Sequence, residues 1–180
     1  MSRIALQKLK EQFPEHILET HDFRGDETAV LEPSLIKEAC RFLRDEPTLR
    51  FAMLTDATAV DYLGYPGHIA PRFEVVYHLY SIQEKHRLRL KVRLSEDNPE
   101  LDSVSELWPI ANWLEREIWD MYGIHFRGHP DLRRILLYEE FVGHPLRKDY
   151  PKDKHQPLVR RPENEMAQVL AARPSRSDGA

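Results

Sequence analysis

A single cysteine in 180 residues closes off several chemistries. Cys40 cannot form a disulfide within the chain. One thiolate also falls short of the roughly four ligands that a structural zinc or an iron–sulfur cluster takes. It sits in "SLIKEACRFLRDEP" among apolar neighbours, where a small core side chain is expected. Scarce cysteine fits a reducing compartment. Long apolar runs are missing as well. No stretch of about 18 apolar residues occurs, so no transmembrane helix is expected. The N-terminus "MSRIALQKLKEQF" has charges spread through it and no signal-peptide core, and is expected to stay in place as an amphipathic helix. Glycine is scarce, at 7 residues, and no P-loop, G-x-G-x-x-G or G-x-S-x-G pattern is present.

Charge and proline are abundant. Charged residues make up 31% of the chain and hydrophobic residues 41%. A domain of about 150 residues buries roughly 70% of its extended surface, so a core is possible without staples. The net charge of -4 is unevenly spread. Residues 1–124 hold 15 basic and 22 acidic side chains, and residues 125–161 hold 9 and 5. A basic third on an acidic body suggests a meeting with an acidic surface.

Periodicity predicts an α+β fold: a small, mostly antiparallel sheet covered by helices, then an extended irregular arm. Residues 4–13 read as a helix. "EHILETHDF" and "DETAVLE" read as strands around Arg24-Gly25-Asp26. Pro33 opens a helix to about Asp45, with Leu35, Ile36, Ala39, Cys40, Phe42 and Leu43 on one face. A strand is expected over Arg50–Thr55. "RFEVVYHLYSI" and "RLRLKVRL" form a hairpin across "QEKH". Leu88, Leu90, Val92 and Leu94 alternate with Arg87, Arg89, Lys91 and Arg93, so one face goes to the core and one to water. No stacking aromatics interleave with those basic residues, which argues against nucleic-acid binding. "WPIANWLEREIWDMYG" is a helix with Ile110, Leu114, Ile118 and Met121 on its buried stripe and Gly123 past its end. Beyond it the periodicity stops. Five prolines and two glycines fall between His125 and Pro162. The expected organisation is a domain over 1–124, an arm over 125–162, and a polar tail over 163–180 with room for a short helix before a frayed, disordered end.

Catalytic patterns are weak. Glu115 and Glu117 are two apart on a helix and point away from each other, so they cannot share a substrate. Arg116 and Asp120 are spaced to pair. His125 and His129 have metal-ligand spacing, but Gly128 and Pro130 break the helix that spacing needs. "GHP" occurs twice, at 128–130 and 143–145, each a turn whose histidine is expected to make one hydrogen bond.

The ordered set "ANWLEREIWDMYGIHFRGHPDLRRIL" and then "GHPLRKDYP" resembles one family: the 30 kDa subunit, or C-subunit, of proton-translocating NADH-quinone oxidoreductase, respiratory complex I. "VDY" at 60–62 fits it too. The specific part covers about 40 residues. The resemblance implies a non-catalytic assembly subunit in the peripheral arm of the complex, on the cytoplasmic side of the inner membrane, docked on the quinone-site large subunit. It implies no cofactor in this chain, with FMN, iron–sulfur clusters and quinone held elsewhere in the complex. The expected partner-contacting residues are Glu115, Arg116, Glu117, Asp120, His129, Arg134, His144, Arg147, Lys148 and Asp149. The arm is expected to lie on the partner rather than on its own domain, with Arg147 the anchor by residue type. Arg147→Ala would then weaken assembly and leave the domain's stability unmoved. Two alternatives stay open: the equivalent subunit of a membrane-bound hydrogenase-type complex, and a small independent hydrolase built on the histidines and carboxylates.

Overall fold

A computed structural model describes residues 2–67 and 71–159. The short helix expected within 163–180 lies outside the described residues. Helix α1 spans Ser2–Gln12 and buries Ala5 and Leu9. Strands β1 (Ile17–Phe23) and β2 (Asp26–Leu31) flank a two-residue turn. Arg24 and Gly25 both have positive φ there, 55° and 84°, which matches the right-handed twist of a hairpin. A 3-10 turn at Pro33–Leu35 leads into α2, Ile36–Asp45. Strands β3 (Met53–Asp61), β4 (Phe73–Ser81) and β5 (His86–Leu94) follow, then the short β6 (Glu100–Asp102), helix α3 (Ala111–Tyr122) and β7 (His125–Arg127).

Five strands form one sheet in the order β1-β2-β5-β4-β3. The β2–β5 pairing is parallel and the other three are antiparallel. The expected α+β architecture is therefore present. The alternation in β5 works as expected: Leu88, Leu90, Val92 and Leu94 are buried and meet Val75, Tyr77 and Leu79 of β4 in the core. Ile36, Ala39, Cys40 and Leu43 of α2 join the same core, as do Ala111 and Ile118 of α3. Buried apolar area contributes about 25 cal/mol per Å², so this single face supplies most of the driving force for folding. The opposite sheet face is polar but neutralised across strands. Lys91 donates to Glu74 at 2.7 Å, and Arg93 donates to Glu19 at 2.8 Å. Arg87 lies over the Tyr80 ring.

Three local expectations differ from the structure. The strand expected over Arg50–Thr55 runs instead over Met53–Asp61. Its core side carries Leu54, then Ala57 and Ala59, and a bulge between Leu54 and Asp56 shifts the phase, so no simple alternation was legible. The buried stripe of α3 is Ala111, Glu115, Ile118 and Met121, while Ile110 is 48% exposed. A buried carboxylate where an apolar residue is usual rotated the apparent stripe. Finally, chain order does not stop at Gly123. Strand β7 pairs in parallel with β6, three residues each, where the sequence shows no repeat long enough to count.

Candidate functional site

The site grows from the C-terminal end of α3. A helix leaves its last four carbonyls without intrahelical partners. Here Trp119, Asp120, Met121 and Tyr122 are those residues, and each carbonyl is answered. Gly123, left-handed at φ 76°, turns its N–H back to Trp119 O at 2.8 Å. His144 Nδ1 donates to Asp120 O at 3.0 Å, Leu146 N–H to Met121 O at 3.1 Å, and Arg147 Nε to Tyr122 O at 2.6 Å. Three of the four caps come from "GHPLRKDYP". Cationic Arg134 and Arg147 also stand where the helix dipole is negative.

The fit is close. A Cβ on Gly123 would lie 2.6 Å from His144 Cδ2 and 2.7 Å from Nε2, so only glycine lets the histidine ring in. Burial lowers the pKa of His144 below the ordinary histidine range, keeping the ring neutral as a donor. The other Gly-His-Pro reaches the opposite end of α3. His129 donates from Nε2 to Asn112 O at 3.0 Å and accepts from Asp131 N–H at Nδ1, 3.1 Å away. The two motifs clamp one helix at its two ends.

Arg72 is the second anchor. Its side chain is 6% exposed and all five of its N–H donors are used. Asp61 takes two, Nε to Oδ1 at 2.9 Å and Nη2 to Oδ2 at 2.7 Å. Asp149 of the arm takes two more, at 2.7 and 3.2 Å, and Glu96 the last at 2.5 Å. Asp61 also accepts the Lys148 and Leu63 amides, at 2.8 and 2.9 Å. Burial opposes ionisation of Asp61, but the Arg72 bonds and the two amides outweigh it and bring its pKa down to about 2. The guanidinium groups of Arg72 and Arg147 both lie over the Phe73 ring, 4.8 and 5.1 Å from its centroid.

Asp120 is a third node. It is fully buried, and Oδ2 accepts three successive amides, Ile135, Leu136 and Leu137, at 3.0, 2.9 and 3.0 Å. Arg134 donates to Oδ1 at 2.5 Å and reaches on to the Phe141 and Gly143 carbonyls. Burial again works against ionisation, yet these donors hold the Asp120 pKa low. Glu115 differs. Ser103 Oγ donates to it at 2.6 Å and the Val104 amide at 2.8 Å, but among the described residues no lysine or arginine pairs with it. Burial therefore dominates and raises its pKa to about 7.

Several expected partner contacts thus turn inward. Glu115 and Asp120 are buried and bonded within this chain, so neither is a surface group. Arg116 donates to the Arg133 and Arg134 carbonyls. Arg134, His129, His144, Arg147 and Asp149 hold the arm to its own domain. Among the ten, Glu117, Lys148 and Asp149 are exposed, and of these Asp149 is tied to Arg72. The arm does carry little regular structure past β7, and its hydrogen bonds run to its own domain. Asp61, Arg72, Phe73 and Glu96 were missed. A signal existed for the first two: an antiparallel β3–β4 pair that ends at Asp61 sets it beside Phe73, and Arg72 precedes that residue.

Cys40 lies in the core, where burial pushes its thiol far above the ordinary range and away from the thiolate a metal would need. No helix among the described residues is long and apolar enough to cross a membrane.

Comparison with known proteins gives concordant results. A family model for "Respiratory-chain NADH dehydrogenase, 30 Kd subunit" matches residues 29–156. The NADH-quinone oxidoreductase C-subunit of Geotalea uraniireducens is 51% identical over 147 residues, which is 82% of this chain and 86% of that one. The second C-subunit of Rhizobium meliloti is 54% identical over 133 residues, 72% and 70% of the two chains. Among solved structures, the trypsin-resistant fragment (1-134) of Nqo5 is 34% identical with a TM-score of 0.63, covering 73% of this chain and 98% of the fragment. A chain of an archaeal membrane-bound sulfane sulfur reductase shares the fold at 19% identity, with a TM-score of 0.66 over 99% of this chain and 96% of that one.

Proposed function

This chain belongs to the 30 kDa subunit family of respiratory-chain NADH dehydrogenase, and from that premise we propose that it is a non-catalytic assembly subunit of NADH-quinone oxidoreductase. The carrying observation is the identity of 51% to a C-subunit of that enzyme across 82% of the chain. It sits in the peripheral arm, on the cytoplasmic side of the inner membrane, and docks on the quinone-site large subunit. FMN, iron–sulfur clusters and quinone belong to other subunits.

The chemistry of the site supports this reading. A general acid or base needs a free lone pair or proton within reach of a substrate. The carboxylates of Asp61 and Asp120 are filled by arginine and amide donors, and both Gly-His-Pro histidines are bonded to helix carbonyls. These groups build a rigid scaffold, which lowers the ordering cost of docking. The hydrolase alternative uses the same histidines and carboxylates and finds them committed.

A tag on this chain tests the assignment. Purification from membranes in mild detergent is expected to recover the other subunits together with NADH:quinone activity. The purified chain by itself is expected to oxidise no NADH. Recovery of the chain free of other subunits would refute the proposal.

A further inference from the structure

Residues 134–157 enclose a small cluster apart from the main core. The Phe141 ring stacks on Tyr150, with centroids 6.1 Å apart, and meets Tyr138 edge-on at 5.6 Å. Arg134 lies 5.6 Å over the same ring. The segment 136–142 is pinned from several sides. Asp120 holds the amides where it begins, and Gln156 accepts the Val142 amide at 2.9 Å. Tyr138 Oη donates to Pro157 O at 2.9 Å. A loop held this firmly nonetheless turns large apolar side chains outward: Leu136 is 61% exposed and Val142 53%. Beside them, Glu139 and Glu140 are exposed and carry no ion pair among the described residues. Two other acids of the arm are compensated, Asp131 by Arg133 at 2.9 Å and Asp149 by Arg72 at 2.7 Å.

We propose that the 136–142 loop is a preformed docking ridge for a neighbouring subunit whose surface carries an apolar recess bordered by lysine or arginine. The proposal rests on the assembly role above and deepens it. Rigid exposed apolar groups mark interaction surfaces, and their fixed geometry removes much of the entropy lost on binding. Glu139 and Glu140, adjacent on this loop and unpaired among the described residues, select a cationic rim on the partner. They also oppose a lipid surface, because anionic headgroups repel them. The binding role expected of "GHPLRKDYP" thereby moves to the segment before it. "GHPLRKDYP" clamps α3, and the clamp presents the ridge.

The test uses the tagged full-length chain in the whole complex. Leu136→Asp with Val142→Asp is expected to reduce recovery of the other subunits at least tenfold. Glu139→Lys with Glu140→Lys is expected to reduce it as well. Thermal melts of the isolated variants should match the unaltered chain, since all four side chains are exposed. A zero-length carbodiimide reagent should join Glu139 or Glu140 of the unaltered complex to a lysine of a neighbouring subunit. This measurement decides the matter if either variant melts early. Undiminished recovery with both variants, or carbodiimide products confined to this chain's own lysines, would overturn the ridge. A tagged, unaltered chain that recovers no other subunit would overturn the assembly role itself, and the ridge with it.

Discussion

At the scale of single residues, two buried groups respond to pH in opposite senses. Arg72 gives all five donors to three carboxylates, and Asp61 has no solvent to fall back on. Removing one partner of a buried pair costs about 3–5 kcal/mol, because the other charge is stranded. Arg72→Met should lower stability in a urea melt by that amount. The native pKa of Asp61 is depressed to about 2, below its unfolded value of about 3.9. Its stabilising contribution is therefore complete above about pH 4 and is lost as pH falls toward 2. Urea midpoints measured across that window should fall in the unaltered chain and fall less in Arg72→Met. Glu115 runs the other way. Its native pKa, about 7, stands above the unfolded value of about 4.3, so the folded state holds the proton longer. Stability is then greatest below about pH 4.3 and declines as pH rises to 7. Glu115→Gln should remove that decline, and a slope unchanged by the substitution would show that another group is responsible.

At the scale of elements, α3 shows what a sequence displays and what it hides. Its C-terminal boundary was legible: Gly123 follows the last helical residue and takes the left-handed cap. The β4–β5 hairpin was legible too, since strict alternation of leucine with arginine admits one strand phase. The clamp was not, because a bond such as Lys148 N–H to Asp61 joins residues 87 apart and leaves no local pattern. The expectation that Arg147 anchors the arm on a partner rested on residue type and on the periodicity that stops past Gly123. Proline bars a helix, but not an irregular strand that caps one. Arg147 bonds Tyr122 O and covers Phe73, so Arg147→Ala should now destabilise the isolated chain. The cost expected for a hydrogen bond from a charged group is about 1.5–3 kcal/mol. Equality with the unaltered chain in a urea melt would return Arg147 to the partner surface. Gly123→Ala should cost more than the roughly 1 kcal/mol of a left-handed alanine, because its methyl also strikes the His144 ring.

At the scale of the molecule, the charge asymmetry was legible and its meaning changed. The basic residues of the arm were expected to meet an acidic partner, yet Arg134 and Arg147 are spent on this chain's own helix end and Asp149 on Arg72. Arm and body are joined through Asp61, Asp120 and the α3 carbonyls, and Ile124 and Phe126 beyond Gly123 belong to the main core. A chain of this size unfolds in one cooperative step when its parts are so coupled. The isolated protein should therefore lose arm and sheet together. Trp119 reports the arm, since His144 and Arg134 lie against its ring, at 6.3 and 5.7 Å. Far-ultraviolet circular dichroism reports the five-stranded sheet. With Trp108 and Trp113 replaced by phenylalanine, fluorescence and dichroism are expected to give the same urea midpoint. Native-state hydrogen exchange should agree: the Leu146 and Lys148 amides, bonded to Met121 O and Asp61, should be protected in the free chain rather than only in the complex. A fluorescence transition well ahead of the dichroism, with those two amides exchanging at once, would mean that the arm comes away by itself. The docking ridge would then be formed by the partner instead of presented to it.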